Sequence, residues 1–316
     1  MTRYVLGRLA SCVVVFFAIT LFVFVAFFAM PSTNRDRETS DAYRIHGSVS
    51  GEYAHYIWRF VAHGDLGYSY VSREAVTRRL FRAAPVTLSL VAGGLVVWLL
   101  IAIPLGILAA LRPRSLLDRA ATVFVLIGIS AHPVWIGLML GYVFGHYLHV
   151  LPLDGYCSVN SLSTGCEGLT QWAYHLVLPW FTFGLLNAAL FTTMTRSLVM
   201  EQLREEYVRT ARAKGAGEAR IVRAHVLKNV TLPLVTMIGI NAGTALGGVI
   251  FVESAFGLPG LGGMLRRATL QRDLPMIAGS VLFLALAIML LNLFVDLVYA
   301  TLDPRIRLSP SRARRA

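Results

Sequence analysis

Six stretches of this chain are long and apolar enough to be membrane spans: Leu9–Met30, Pro85–Leu111, Ala120–Tyr147, His175–Val199, Leu232–Val252 and Met276–Leu302. A helix needs about 20 apolar residues to cross the hydrocarbon core of a bilayer. The fold class that follows is an all-α membrane protein with six transmembrane helices. Composition agrees, since 56% of the 316 residues are hydrophobic and 15% are charged, too apolar a balance for an ordinary soluble domain. The first stretch has no small-residue cleavage site and leads into further spans, so it reads as a retained helix rather than a signal peptide.

The net charge of +12 does not point to nucleic acid, because the Arg and Lys lie between and beyond the apolar runs and form no single basic face. They report topology instead. An even number of spans puts both termini on one side, and the ends carry Arg3 and Arg8, then Arg305, Arg307, Arg312, Arg314 and Arg315, so both termini should be cytoplasmic. Arg112, Arg114 and Arg119 crowd one short connection, whereas residues 148–174 hold no Lys or Arg. The outer side should then include 31–84, a segment whose many aromatics suggest a folded cap rather than a disordered linker. The resulting division is an N-terminal tail and first span over 1–30, the cap over 31–84, a five-helix core over 85–302 and a basic cytoplasmic tail over 303–316. Arg266, Arg267 and Arg272 in the outer loop 257–275 run against the rule without overturning it.

On this topology the most polar interior segment, 201–231, faces the cytoplasm between spans four and five. Glu206–Lys214 favours helix, Gly215 and Gly217 supply a stop and a turn, and a second short amphipathic helix follows with Val222, Val226 and Val230 on one side. Leu232-Pro233 then opens the next span, where a proline is well tolerated. A basic amphipathic segment can lie on anionic lipid. The helix–Gly–helix layout also suits insertion of a small-residue turn into a partner's groove.

The stretch "YVRTARAKG" at 207–215, followed by "LP" at 232–233, resembles the cytoplasmic EAA-type loop of the inner-membrane permeases of binding-protein-dependent ABC importers. "HGDLGYS" (63–69), "HPVWIGLML" (132–140), "LPLDGY" (151–156), "HLVLPW" (175–180), "VESAFGLPGLG" (252–262), "RDLP" (272–275) and "DPRIR" (303–307) resemble segments of that family in the same order. Arg209, Thr210 and Ala211 stand where the general motif has an acidic residue and two alanines, and the long interval from Gly215 to Pro233 resembles the peptide and nickel branch. The resemblance implies that Tyr207, Val208, Arg209, Thr210, Ala211, Arg212, Ala213, Lys214, Gly215, Ala216 and Gly217 couple the chain to an ATPase subunit. It also implies an inner-membrane location, a second homologous permease, an extracytoplasmic binding protein, and ATP and Mg held by the partner ATPase. This chain has no Walker-type phosphate loop and no cofactor of its own. Lipid covers the remaining surface.

Other residues stand out singly. Glu253 near the outer interface reads as a solvated carboxylate beside Arg266 or Arg267, or, with Phe256, Pro259 and Gly260, as part of a gate or binding-protein contact. Asn187 and Asn241 lie near the middles of spans four and five, as interhelical glue or pathway lining. Asn292 and Asp296 share a face of the last span. His132 reads as a hydrogen-bonded buried histidine; without further ligands at suitable spacing no metal site is expected. Arg196 reads as a cation at the cytoplasmic end of span four. Cys157 and Cys166 occupy one outer loop and could form a bridge, whereas Cys12 reads as packing.

Midplane charges, which a secondary transporter running on an ion gradient would need, are nearly absent. No serine–histidine–acid or HExxH constellation appears at membrane depth. The reading is a non-enzymatic permease subunit. Dipeptide, oligopeptide, glutathione and nickel remain open as cargo.

Overall fold

The computed structural model describes residues 2–26, 49–69, 71–157 and 168–302, with the backbone alone at 2–6, 8, 9, 240, 242, 244 and 296–302. In chain order the first elements are α1 (Thr2–Phe24), α2 (Val49–His63), a short hairpin of β1 (Tyr68–Ser69) and β2 (Glu74–Ala75), and α3 (Val76–Leu111). Then come α4 (Leu116–Ser130), α5 (Pro133–Leu140), which continues as a π-helix over Gly141–Tyr147, and α6 (Gly168–Leu203). The remainder is α7 (Glu206–Ala213), α8 (Glu218–Ile221), a π-helical stretch Val222–Val226, α9 (Leu227–Ala255), α10 (Leu261–Gln271) and α11 (Leu274–Leu302). The described residues within 1–87 and 259–294 form one compact unit, and those within 88–258 and 295–302 form another.

Among the described residues four helices are long and apolar enough to cross a membrane, and a fifth span results if α4 and Pro133–Tyr147 are taken together. The first apolar stretch is helical over its described part, with Ala10–Phe24 as its apolar portion; from residue 27 it lies outside the described residues. The expected third span, Ala120–Tyr147, is not one continuous rod, because the chain bends by 111° between α4 and α5. Pro133 favours the break. It disfavours helical backbone in the residue before it, and His132 sits at φ −77°, ψ 138°.

In the first unit, aromatic residues of α2 pack on α1. Phe60 stacks on Phe16 with ring centroids 6.0 Å apart, Tyr53 meets Phe24 at 5.5 Å, and the Tyr53 hydroxyl lies 2.9 Å from that of Thr20. Leu66, Val76, Leu80, Leu261, Met264, Ala268, Met276 and Leu282 form the apolar core of this unit. A polar clasp completes it. The buried Ser69 hydroxyl donates to Asp273, which caps α11 by accepting from Met276 N at 3.3 Å, while Leu261 N donates to Thr87 Oγ1 at 2.9 Å.

The second unit is built round α6. Lipid supplies no hydrophobic drive for one helix to prefer another, so close packing at small residues holds such bundles together. An added Cβ at Gly93 would fall 2.1 Å from the Trp180 ring, at Gly106 2.7 Å from Thr195 Cβ, at Gly128 2.3 Å from Ala189 Cβ and at Gly184 2.6 Å from Val97. These notches seat α3 and α4 directly on α6. Thr182, Thr192 and Thr195 are buried in α6 yet satisfied, each donating to the carbonyl four residues earlier at 2.7–2.9 Å. Trp180 Nε1 donates to Ser89 O at 2.9 Å.

Gly106→Val must push against the backbone carbonyl of Thr192, which a Cβ would meet at 2.9 Å, and overpacking of this kind costs about 1–3 kcal/mol. Thermal unfolding of the detergent-purified protein should show a clear drop in midpoint. Gly247→Ala, where nothing lies within 4 Å, should leave the midpoint unchanged or slightly raised; equal losses in both variants would refute the notch account.

Candidate functional site

The segment after α6 is short of slack. Arg204 N donates to Glu201 O at 3.1 Å and Glu205 N to Gln202 O at 3.3 Å, turning the chain directly into α7, where Val208 N and Arg209 N return to Glu205 O. Tyr207, half-buried, donates its hydroxyl to Gln202 Oε1 at 2.8 Å. The start of α7 is thereby tied to the end of α6.

Helix α7 ends in a Schellman turn. Ala216 N donates to Ala211 O at 3.1 Å and Gly215 N to Arg212 O at 2.9 Å, with Gly215 at φ +79°. That backbone conformation suits glycine because it lacks a Cβ. No atom lies within 4 Å of where a Gly215 side chain would begin, so backbone conformation, not local crowding, calls for glycine there. Arg212 closes the turn from outside by donating to Glu218 Oε1 at 2.7 Å and Oε2 at 3.1 Å. Those hydrogen bonds hold the Glu218 carboxyl below the usual carboxylate range.

The valines face inward. Val208, Ile221, Val226 and Val230 are essentially inaccessible and Val222 is buried, while Arg209, Thr210, Arg212, Ala213, Lys214, Gly215 and Gly217 are exposed, and Ala211 and Ala216 are half-buried. The helix–turn–helix expected over this region is present, with two corrections. Its second arm is not a separate short helix, because helical backbone runs from Glu218 through the π-helical stretch into α9 and ends at Ala255. Pro233 therefore sits inside a helix rather than at its start. The exposed turn is the tip of one continuous helical arm that runs the length of the expected span Leu232–Val252.

Beside this arm is a cleft of about 530 Å³ lined by Arg196, Ser197, Met200, Glu201, Arg204, Glu205, Glu206 and Arg209. Arg196 does more than favour a helix end. Its guanidinium donates from Nε to Asp118 Oδ1 at 2.7 Å and from a terminal nitrogen to Oδ2 at 3.0 Å. Asp118 stands in the first turn of α4, behind the Ser115 cap, and also accepts from Arg114 N at 2.9 Å. Asp118 was not singled out from sequence. The signal was available: Ser115, three residues before an acid at the head of an apolar run, is the pattern of a capped helix start.

The other expected sites fare unevenly. Glu253 is 0% exposed and so is not a solvated carboxylate; the chain turns back at Gly257 and Leu258 N bonds Glu253 O at 2.9 Å, covering the helix end. Phe256 is buried against Gly137, whereas Pro259 is exposed and Gly260 is buried at the head of α10. Asn187 and Asn241 are half-buried, and each donates to the carbonyl four residues back at 2.8 Å; Asn241 also reaches Met194 Sδ at 4.0 Å. His132 is exposed, not buried, and caps α5 by accepting from Val134 N at 3.3 Å. Cys157 is buried near His175 Nε2, Cys166 lies outside the described residues, and so does the side chain of Asp296. Among the described residues no group of three or more His, Cys, Asp or Glu could hold a metal ion.

Comparison with known proteins identifies the family. Residues 102–308 match the family described as the binding-protein-dependent transport system inner membrane component. The chain is 34% identical to the dipeptide transport system permease protein DppB of Escherichia coli strain K12, over 97% of this chain and 99% of that protein. It is 34% identical to a putative peptide permease protein of Brucella suis, over 98% and 100%, and 31% identical to the di/tripeptide transport system permease protein DppB of Pseudomonas aeruginosa, over 97% and 99%. With most of its core matched and its whole length shared with such relatives, the chain belongs to the family of binding-protein-dependent transport system inner membrane components.

Proposed function

We propose that this chain is the permease subunit of an ATP-driven importer of di- or oligopeptides, forming the pathway with a second permease and receiving cargo from an extracytoplasmic binding protein. The observation that carries the reading is the exposed, glycine-ended tip of Tyr207–Gly217 at the end of a continuous helical arm. Small and basic residues project from the tip, while valines fix its other face to the chain. Such a tip can enter a groove on a separate ATPase subunit and move with it. Peptide cargo is supported by the relatives, which are named as dipeptide, peptide and di/tripeptide permeases. ATP and Mg belong to the ATPase partners, consistent with a family that forms the membrane component.

We place both termini and the 201–231 arm in the cytoplasm and 31–84 outside, with six spans. Four long apolar helices, the bent pair and the apolar part of α1 support that number. The positions of the arginines support the sidedness. A bridge between Cys157 and Cys166 in the outer loop is supported by Cys157 being disulfide-bonded while Cys12 is free.

Three outcomes test this reading. In the reconstituted transporter, Gly215→Trp should abolish peptide transport by blocking the docking groove, whereas Gly215→Asn, which tolerates left-handed backbone, should keep at least about half of it. A lipid-anchoring role predicts instead that Gly215→Trp transports normally and that Arg220→Gln with Arg223→Gln does not. For sidedness, single cysteines at positions 50 and 312 in a Cys12→Ala background should react differently with an impermeant thiol reagent in intact cells: the first labels and the second does not. Peptide mass spectrometry without reduction should return the Cys157 and Cys166 peptides linked, and two alkylated thiols would remove the bridge.

A further inference from the structure

The Asp118–Arg196 pair does not explain itself as a stabiliser. Asp118 is buried but the Arg196 side chain is 31% exposed, so desolvation of the carboxylate and solvent screening of the guanidinium offset most of the pair's attraction. Its distinctive property is direction. A guanidinium fork on both oxygens of a carboxylate fixes the relative orientation of the two side chains in a plane, and the helix start at Ser115 already has its cap without Arg196.

The pair is a directional contact within a broader packing of the same two helices. Asp118 and Arg196 join α4 to α6 at one end, and Gly128, whose Cβ would meet that of Ala189 at 2.3 Å, brings the two helices into close contact further along. Packing sets the separation of the two helices, and the bidentate pair adds a fixed orientation at the end nearest α7. Below Arg196 the chain passes through hydrogen-bonded turns into α7, and Arg196 shares its cleft with Glu205, Glu206 and Arg209 of that segment. The guanidinium stands on the wall of that open cleft.

We infer that Asp118 and Arg196 are positioning residues of the transport cycle: their ion pair is the joint through which displacement of the Tyr207–Gly217 segment, carried up α6, reaches α4. The inference rests on the reading of that segment as the ATPase-docking tip. A pair that served stability alone would lose its importance once both charges were removed together, since no unpaired charge would then be left buried. A joint would not.

The discriminating variant is therefore Asp118→Asn combined with Arg196→Gln, studied in the complete transporter in proteoliposomes with its binding protein. The measured quantity is peptide moved per ATP hydrolysed, with Gly215→Trp assayed alongside. We expect the neutral pair to assemble and to keep binding-protein-stimulated ATPase within about twofold, while the transport ratio falls at least about fivefold. A wild-type ratio in the neutral pair, with loss of transport in Gly215→Trp, overturns the joint and leaves the docking reading standing. Normal coupling in Gly215→Trp overturns the docking reading and with it the route proposed from α7. If the neutral pair fails to assemble, Asp118→Glu decides: it keeps the charge but displaces the fork by one methylene, so its ratio should fall at least about twofold, and a wild-type ratio there also overturns the joint.

Discussion

The second unit depends on the close approach of helices to α6. In water a bundle gains stability by removing apolar surface from solvent, but between helices in lipid that gain is small and packing must supply it. Glycines on α3, α4 and α6 itself let neighbouring side chains or backbone approach to distances that a Cβ would forbid. Trp180 and Phe183 fill the space over Gly93 and Gly94, and Thr195 packs against Gly106. Each notch fixes the rotation and depth of one neighbour, so α6 acts as a reference rod from which the positions of α3 and α4 follow. Pro179 can be tolerated inside this rod because the tertiary contacts, more than local propensity, hold a helix of this kind together.

Where the chain must change direction, it uses two different devices. At Ala131–His132 a proline disfavours helical backbone before it and His132 caps the next helix, giving a bend within an apolar region. At Gly215 the bend is made by left-handed backbone with both Schellman hydrogen bonds in place, and Arg212 and Glu218 clamp it from outside. The second device leaves the turn narrow, polar and rigid. That combination suits a surface meant to meet another protein, since little entropy is lost when it docks.

Much of this was legible in the sequence, for identifiable physical reasons. Long apolar runs announce spans, and Gly215 after a helix-favouring segment announces a stop, because each depends on local chemistry alone. The misreadings arose where tertiary structure decides. Nothing local says that Glu218 begins a helix running through Pro233 to Ala255, since a proline near an apolar run looks equally like a helix start. The depth of Glu253 in the chain suits either a solvated carboxylate or a gate or binding-protein contact, and the return of the chain at Gly257, which buries it, excludes the first. Asp118 and Arg196 are 78 residues apart in the chain, and the antiparallel course of two helices that unites them cannot be seen from either residue alone.

The polar segment in so apolar a chain is explained by what each of its faces touches. Val208, Ile221, Val226 and Val230 are buried, so the segment belongs to the fold and is not a loose tether on lipid. Its charged and small residues remain outside, and side-chain hydrogen bonds from Arg212 to Glu218 and from Tyr207 to Gln202 help to shape the tip. A lipid anchor would do better with exposed aromatics and flexible lysines. A lever needs a stiff connection at one end and a shaped contact at the other. In the proposed coupling role the continuous helical arm is the first and the glycine-ended tip the second; the tip connects to α6 through hydrogen-bonded turns and to α9 through unbroken helical backbone.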